Sequence, residues 1–176
     1  MSHSNIVRLV GALLALSLHG AAPAPTSATH ISHADVMAVL ARAPLTTVSD
    51  QQIRMVSAGA YNVGVGVVHR PQVATQTSIV HDELAEVYYV LEGAGTLVTG
   101  GALVNPQIVP PSSTIYRELT GPSSLGSAIE GGESRRVAAG DVVIIPSGVS
   151  HWFSDVQGSI KYLVIRVDPE RLLQTK

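Results

Sequence analysis

The chain has 176 residues, a length that suits one domain with a single core. Its 11 basic and 13 acidic residues leave a net charge of −2 with no basic stripe, which argues against a nucleic acid partner. There is no cysteine, so disulfides and thiolate chemistry are excluded and any metal is left to His and carboxylate ligands.

In chain order, residues 1–28 read as a secretory leader: Arg8, an apolar run from Leu9 to Leu18, then small residues and Pro through Ala28. The apolar run is short for a bilayer span, so the expectation is an exported, periplasmic or secreted protein with no membrane association after cleavage. Residues 29–60 read as an N-terminal helix and linker, with Ser32 capping the helix through Asp35 and Pro44 stopping it. Between 61 and 168 the pattern changes to period two. "YNVGVGVVHRP", "QTSIVH", "EVYYVLEGAGTLVTG", "RRVAAGDVVIIPSG" and "GSIKYLVIRVDP" are rich in Val, Ile and Tyr, and Gly, Pro or Asp separates them. Short strands without interleaved helices predict an all-β sandwich or barrel. Residues 105–133 interrupt it with Pro, Gly and Ser, the composition of a lid or an excursion, and "STIYREL" within them is a candidate edge strand. Residues 169–176 form a tail, where "PERLLQ" carries the last helix signal.

The chemistry gathers in two stretches. In "IVHDELAEVYYVL" the polar run after His81 predicts a turn, so that His81 closes one strand and Glu86 opens the next, both facing one interior. Tyr88 shares Glu86's face and is a candidate for hydrogen bonding or proton transfer to a substrate, beside its plainer role as a core tyrosine. An ionised Glu in so apolar a strand requires a cation, either a metal or an Arg. In "GDVVIIPSGVSHWFSD", Val142 to Ile145 read as a buried strand, and His151, Phe153 and Asp155 share one face of the strand that follows.

These residues resemble the cupins. Gly140, Pro146, Gly148 and His151 fall on the second cupin motif with its spacing, and Asp155 stands where Asn is usual. Glu86 and Gly93 keep the spacing of the first motif, His81 takes the place of the second His of its pair, and Ile79 stands where the first is expected. The resemblance covers about residues 61–168. It implies a cupin-type double-stranded β-helix (jelly-roll) barrel behind a short N-terminal helix, and a homodimer is compatible with it. It also implies one divalent metal held by His81, Glu86 and His151.

Two imidazoles and one carboxylate suit iron in a dioxygenase, or zinc, manganese or nickel as a Lewis acid in an isomerase or lyase. Glu86 and Tyr88 are then the candidate catalytic groups, and the partner is a small molecule. The alternatives are an exported binding protein without turnover, and a degenerate site that has lost its metal with Ile79. His69 is a candidate fourth ligand or a half-exposed strand-end His, Arg70 a candidate clamp for an anionic substrate or a plain surface residue, and Glu83 a turn carboxylate. His30 and His33 lie near the mature N-terminus in structural or solvent roles. Trp152 and Tyr89 are expected on the outside of the barrel.

Overall fold

The computed structural model describes residues 26–176, so the expected leader lies almost wholly outside the described residues. One helix and eleven strands follow in order: α1 (His33–Leu40), β1 (Ser49–Ser57), β2 (Asn62–Pro71), β3 (Ser78–His81), β4 (Ala85–Thr99), β5 (Ala102–Val104), β6 (Gln107–Ile108), β7 (Ser123–Gly126), β8 (Ala128–Glu130), β9 (Glu133–Ala138), β10 (Val142–Ile145) and β11 (His151–Asp168). Among the described residues, no helix is long and apolar enough to cross a membrane. Ser32 caps α1 as its sequence predicts: Asp35 N donates to Ser32 Oγ at 3.1 Å, and Ser32 N donates to Asp35 Oδ2 at 2.9 Å.

The strands pair antiparallel throughout. The main sheet runs β1-β2-β11-β3-β7-β6, and β4 pairs with β11, β9 and β10. A second sheet joins β5 to β8. This is the all-β, cupin-type jelly-roll barrel that the resemblance implies. The long strand β11 organises it. Its first half lies along the second half of β4, and its second half runs between β4 and β2. Alternation along Ile160, Tyr162 and Val164 buries those side chains with Val68, Tyr88, Val90, Leu97 and Phe153 in one core.

Two glycines have steric duties. Gly93 has φ 81°, and a Cβ there would lie 1.9 Å from Ser159 O, where β4 and β11 change register. Gly66 sits in β2 opposite Val164, and a Cβ there would approach Arg166 Nη1 to 3.0 Å. Gly66→Val is therefore expected to push the Arg166 guanidinium aside and destabilise the protein by about 1–3 kcal/mol. A lowered urea midpoint at unchanged slope would register the loss.

Several local expectations are revised by the structure. Residues 49–57, assigned above to the linker, form β1 and pair with β2, so the barrel starts before residue 61. "STIYREL" gives no edge strand; Tyr116–Thr120 coil into a π-helical turn instead. "PERLLQ" is not helical, because the Asp168 carboxylate accepts from Leu172 N and Leu173 N, each at 2.9 Å, and holds the tail in a turn. Asp155 leaves the His151 face because a register shift between Phe153 and Asp155 turns it to solvent. The β10 strand is an edge strand, with Val142 at 61% and Ile144 at 72% exposure rather than buried. With Tyr89 at 42%, also exposed as expected, they make an apolar outer patch.

Candidate metal centre

The turn predicted between His81 and Glu86 is present. β3 ends at His81, β4 begins at Ala85, and Asp82 and Glu83 between them are exposed. His151 opens β11, and its backbone neighbour across the ladder is Ile79 of β3. This pairing brings His81, Glu86 and His151 together, with 5%, 2% and 3% of their surfaces exposed. One ligand atom from each lies within 4.8 Å of the others, so the group could hold a metal ion.

The imidazoles are oriented by their far nitrogens. His81 Nδ1 lies 3.1 Å from Thr120 O and 2.9 Å from Ser123 Oγ, whose own hydroxyl donates to Thr120 O at 2.8 Å. His151 Nδ1 lies 3.1 Å from Val149 O. A carbonyl can only accept, so each Nδ1 carries the proton and each Nε2 presents its lone pair to the shared interior. His81 Nε2 stands 3.6 Å and His151 Nε2 3.4 Å from Glu86 Oε2. Those separations exceed a charge-assisted hydrogen bond, which spans roughly 2.7–2.9 Å. They suit two ligands of one ion at metal–ligand distances of about 2.0–2.2 Å. His151 Nε2 is buried with no hydrogen-bond partner, the atom most in need of such an ion.

Glu86 has two further partners. Tyr88 donates its hydroxyl to Oε2 at 2.8 Å, and Arg166 Nε donates to Oε1 at 3.1 Å. Arg166 continues outward, donating to Gln52 Oε1 at 2.9 Å and to Asp50 Oδ2. Burial pushes the Glu86 carboxyl up, but His81 and His151, to the extent that a proton takes the place of an ion on their Nε2 atoms, and Arg166 hold it well below its ordinary 4.5. Burial first, and then the Glu86 charge, raises the Tyr88 phenol well above 10.0, so it stays protonated. Glu86 thus has an Arg on one oxygen, and its other oxygen faces the two Nε2 lone pairs.

The remaining sequence candidates fall elsewhere. His69 bonds Pro44 O through Nδ1 at 3.2 Å and takes no part in the His-Glu-His group. Arg70, next to it in β2, faces the other way and stacks over Phe153 at 5.5 Å from the ring centroid. His30 and His33 are both exposed, His33 at the start of the helix. Sequence reasoning missed Arg166, although Arg166 alternates with the buried Ile160, Tyr162 and Val164 as Glu86 does with Tyr88 and Val90. It also found no chemistry in residues 105–133, which supply Thr120 and Ser123 to His81.

Ile79 faces the same side as His81 and lies directly opposite His151, where a cupin's first His is expected. Ile79→His is expected to add a third imidazole and tighten divalent metal binding at least about tenfold, or about 1.4 kcal/mol. Titration against a competing chelator reads the change.

A cavity of about 540 Å³ opens against residues that support the centre, and its lining does not include His81, Glu86 or His151 themselves. Its lining includes Asp50 and Gln52, which take Arg166, and Thr120, whose carbonyl faces His81.

No family model matches the chain, and no curated protein sequence matches it. Among solved structures it is similar to the EutQ protein of Clostridium difficile, at 14% identity and a TM-score of 0.41 over 70% of this chain and 69% of that one. It is similar to the DMSP lyase DddQ of Ruegeria pomeroyi, at 18% identity and a TM-score of 0.42 over 68% of this chain, and spans 46% of the lyase's length. A double-stranded β-helix protein of Klebsiella pneumoniae matches at 17% identity and a TM-score of 0.41, over 69% of this chain and 80% of its own. At such identities the fold stands on the chain's own strand pairing.

Proposed function

We propose that this protein is an exported, metal-dependent enzyme of the cupin type, acting on a small molecule at a mononuclear centre of His81, Glu86 and His151. The observation that carries the reading is the convergence of two Nε2 lone pairs, fixed by their protonated Nδ1 atoms, on one carboxylate oxygen. A bound divalent ion would supply Lewis-acid polarisation or, if iron, a site for oxygen chemistry. The chain's own part is to hold and protonate: Arg166 fixes Glu86 in one orientation, and Tyr88, kept neutral, offers a proton beside it. Export rests on the order of charge, apolar run and small residues in 1–28. The exposed Tyr89, Val142 and Ile144 are the surface on which a homodimer would form.

Elemental analysis of the untagged protein, beside His151→Ala, tests the centre. One equivalent of a divalent metal in the first and none in the second is the expected result. No metal in either, after reconstitution with iron, zinc, manganese and nickel in turn, would overturn it. Iron would direct the search for activity to oxygen consumption, and the other metals to lyase and isomerase reactions. A second reading, metal or ligand binding without turnover, is favoured by the near-complete burial of all three side chains. Loss of turnover in Tyr88→Phe at unchanged metal content would separate the two readings.

A further inference from the structure

The barrel holds two guanidinium groups against its core, Arg166 fully buried and Arg70 half-buried, and treats them differently. Arg166 is neutralised by Glu86 and Asp50. Arg70 has no carboxylate within ion-pair distance among the described residues. Its Nε donates to Tyr162 Oη at 2.9 Å, and Nη1 donates to Gln76 Oε1 at 3.2 Å. The Gln76 amide is itself fixed, since Nε2 donates to Pro71 O and Ala74 O, each at 3.0 Å. Phe153 supports the flat face of the guanidinium. A guanidinium has five donors, and Nη2 meets no acceptor among the described residues. Arg70 lines the 540 Å³ cavity that reaches Thr120 beside His81.

An unpaired cation in such a place is costly, and a neutral side chain would pack as well. Orientation by Tyr162, Gln76 and Phe153 leaves the outer edge of the fork preorganised for a planar, bidentate anion. Two carboxylates line the cavity: Asp50, whose Oδ2 is held by Arg166 while its Oδ1 is buried without a hydrogen-bond partner, and Glu118 of the π-helical turn. With Asp50 paired to Arg166, Arg70 and Lys176 are the cations of the cavity without an ion pair among the described residues; Lys176 Nζ, which donates to Gln52 O, is a single point of charge, and only Arg70 presents a planar fork.

We infer that the substrate is a small carboxylic acid whose carboxylate is seated on Arg70, with the rest of the molecule directed toward the His81, Glu86 and His151 centre. The inference builds on the reading of that centre as the reactive one. The fork of Arg70 selects the anion and the cavity limits its size.

Propionate, hexanoate and benzoate, each beside its amide, are the probes, titrated by saturation-transfer NMR into the zinc-reconstituted full protein. At least one acid should bind while its amide does not. Arg70→Gln should weaken that acid by about tenfold to a hundredfold at unchanged zinc content, and Arg70→Lys, which keeps the charge without the fork, should fall between. Equal binding of acids and amides, no binding of any acid, or undiminished binding in Arg70→Gln would each overturn the inference. Should Arg70→Gln not fold, the acid–amide comparison and Arg70→Lys decide it. His151→Ala separates this from the metal reading. Zinc bound with no acid bound sinks the inference alone. Acid bound through Arg70 with no zinc in either protein sinks the metal reading alone.

Discussion

Glu86→Gln is expected to leave the barrel folded and to weaken divalent metal binding by at least about a hundredfold. The substitution keeps the shape of the side chain. Its Oε1 can still accept from Arg166 Nε, which lies 3.1 Å away in the native protein. Arg166 keeps its ion pair with Asp50, so no buried charge is stranded. The fold should lose only the charge assistance of two hydrogen bonds, those from Arg166 Nε and Tyr88 Oη, about 2–3 kcal/mol in all. The metal loses far more. A neutral amide presents either a weak oxygen or an NH₂ group to the two Nε2 lone pairs, and an NH₂ group donates where a ligand must accept. Competition with a chromogenic chelator measures affinity, and thermal denaturation of the same samples reports the fold. Native affinity in a folded Glu86→Gln would remove Glu86 from the metal centre.

The positions of these groups were legible to different degrees. The strand pattern, the turn between His81 and Glu86, and the start of a strand at His151 could all be read from alternation and from turn residues, which are local signals. The geometry that makes the site specific is not local. Ser123 reaches His81, and Arg166 reaches Glu86, only because β7 pairs with β3 and β11 pairs with β4. The requirement for a cation beside Glu86 was readable; its satisfaction by Arg166, 80 residues away in sequence, was not. The face of Asp155 was lost for a related reason. A register shift in β11 breaks the alternation on which the parity of His151 and Phe153 had been extended, and no residue there announces it. β10 read as buried because its composition is that of a core strand. As an edge strand paired only with β4, it shows Val142 and Ile144 to solvent.

Arg166→Met should have the opposite signature, a large loss of stability that a metal partly restores. Arg166 is 2% exposed and stands between Glu86, also 2% exposed, and Asp50, which is 29% exposed. Asp50 can turn to water when its partner is removed. Glu86 cannot, and stranding its charge costs about 3–5 kcal/mol, a large part of a domain's roughly 5–15 kcal/mol. The pH dependence should become shallower with it. In the native protein the folded-state pKa of Glu86 is held well below 4.5, so its contribution is present above that value and is lost as pH falls through the folded pKa. With Arg166 gone, burial is opposed less and the folded pKa rises toward its ordinary value, so acidification should cost the variant less stability than it costs the native protein. The double variant Arg166→Met with Glu86→Gln removes both charges and should recover most of the loss. A saturating divalent metal should stabilise Arg166→Met as well, because an ion among His81, Glu86 and His151 replaces the missing positive charge. Urea denaturation of the single and double variants, with and without zinc and at neutral and mildly acid pH, measures all of this. If the double variant were no more stable than Arg166→Met, the loss would come from packing around the guanidinium stem and not from the stranded carboxylate.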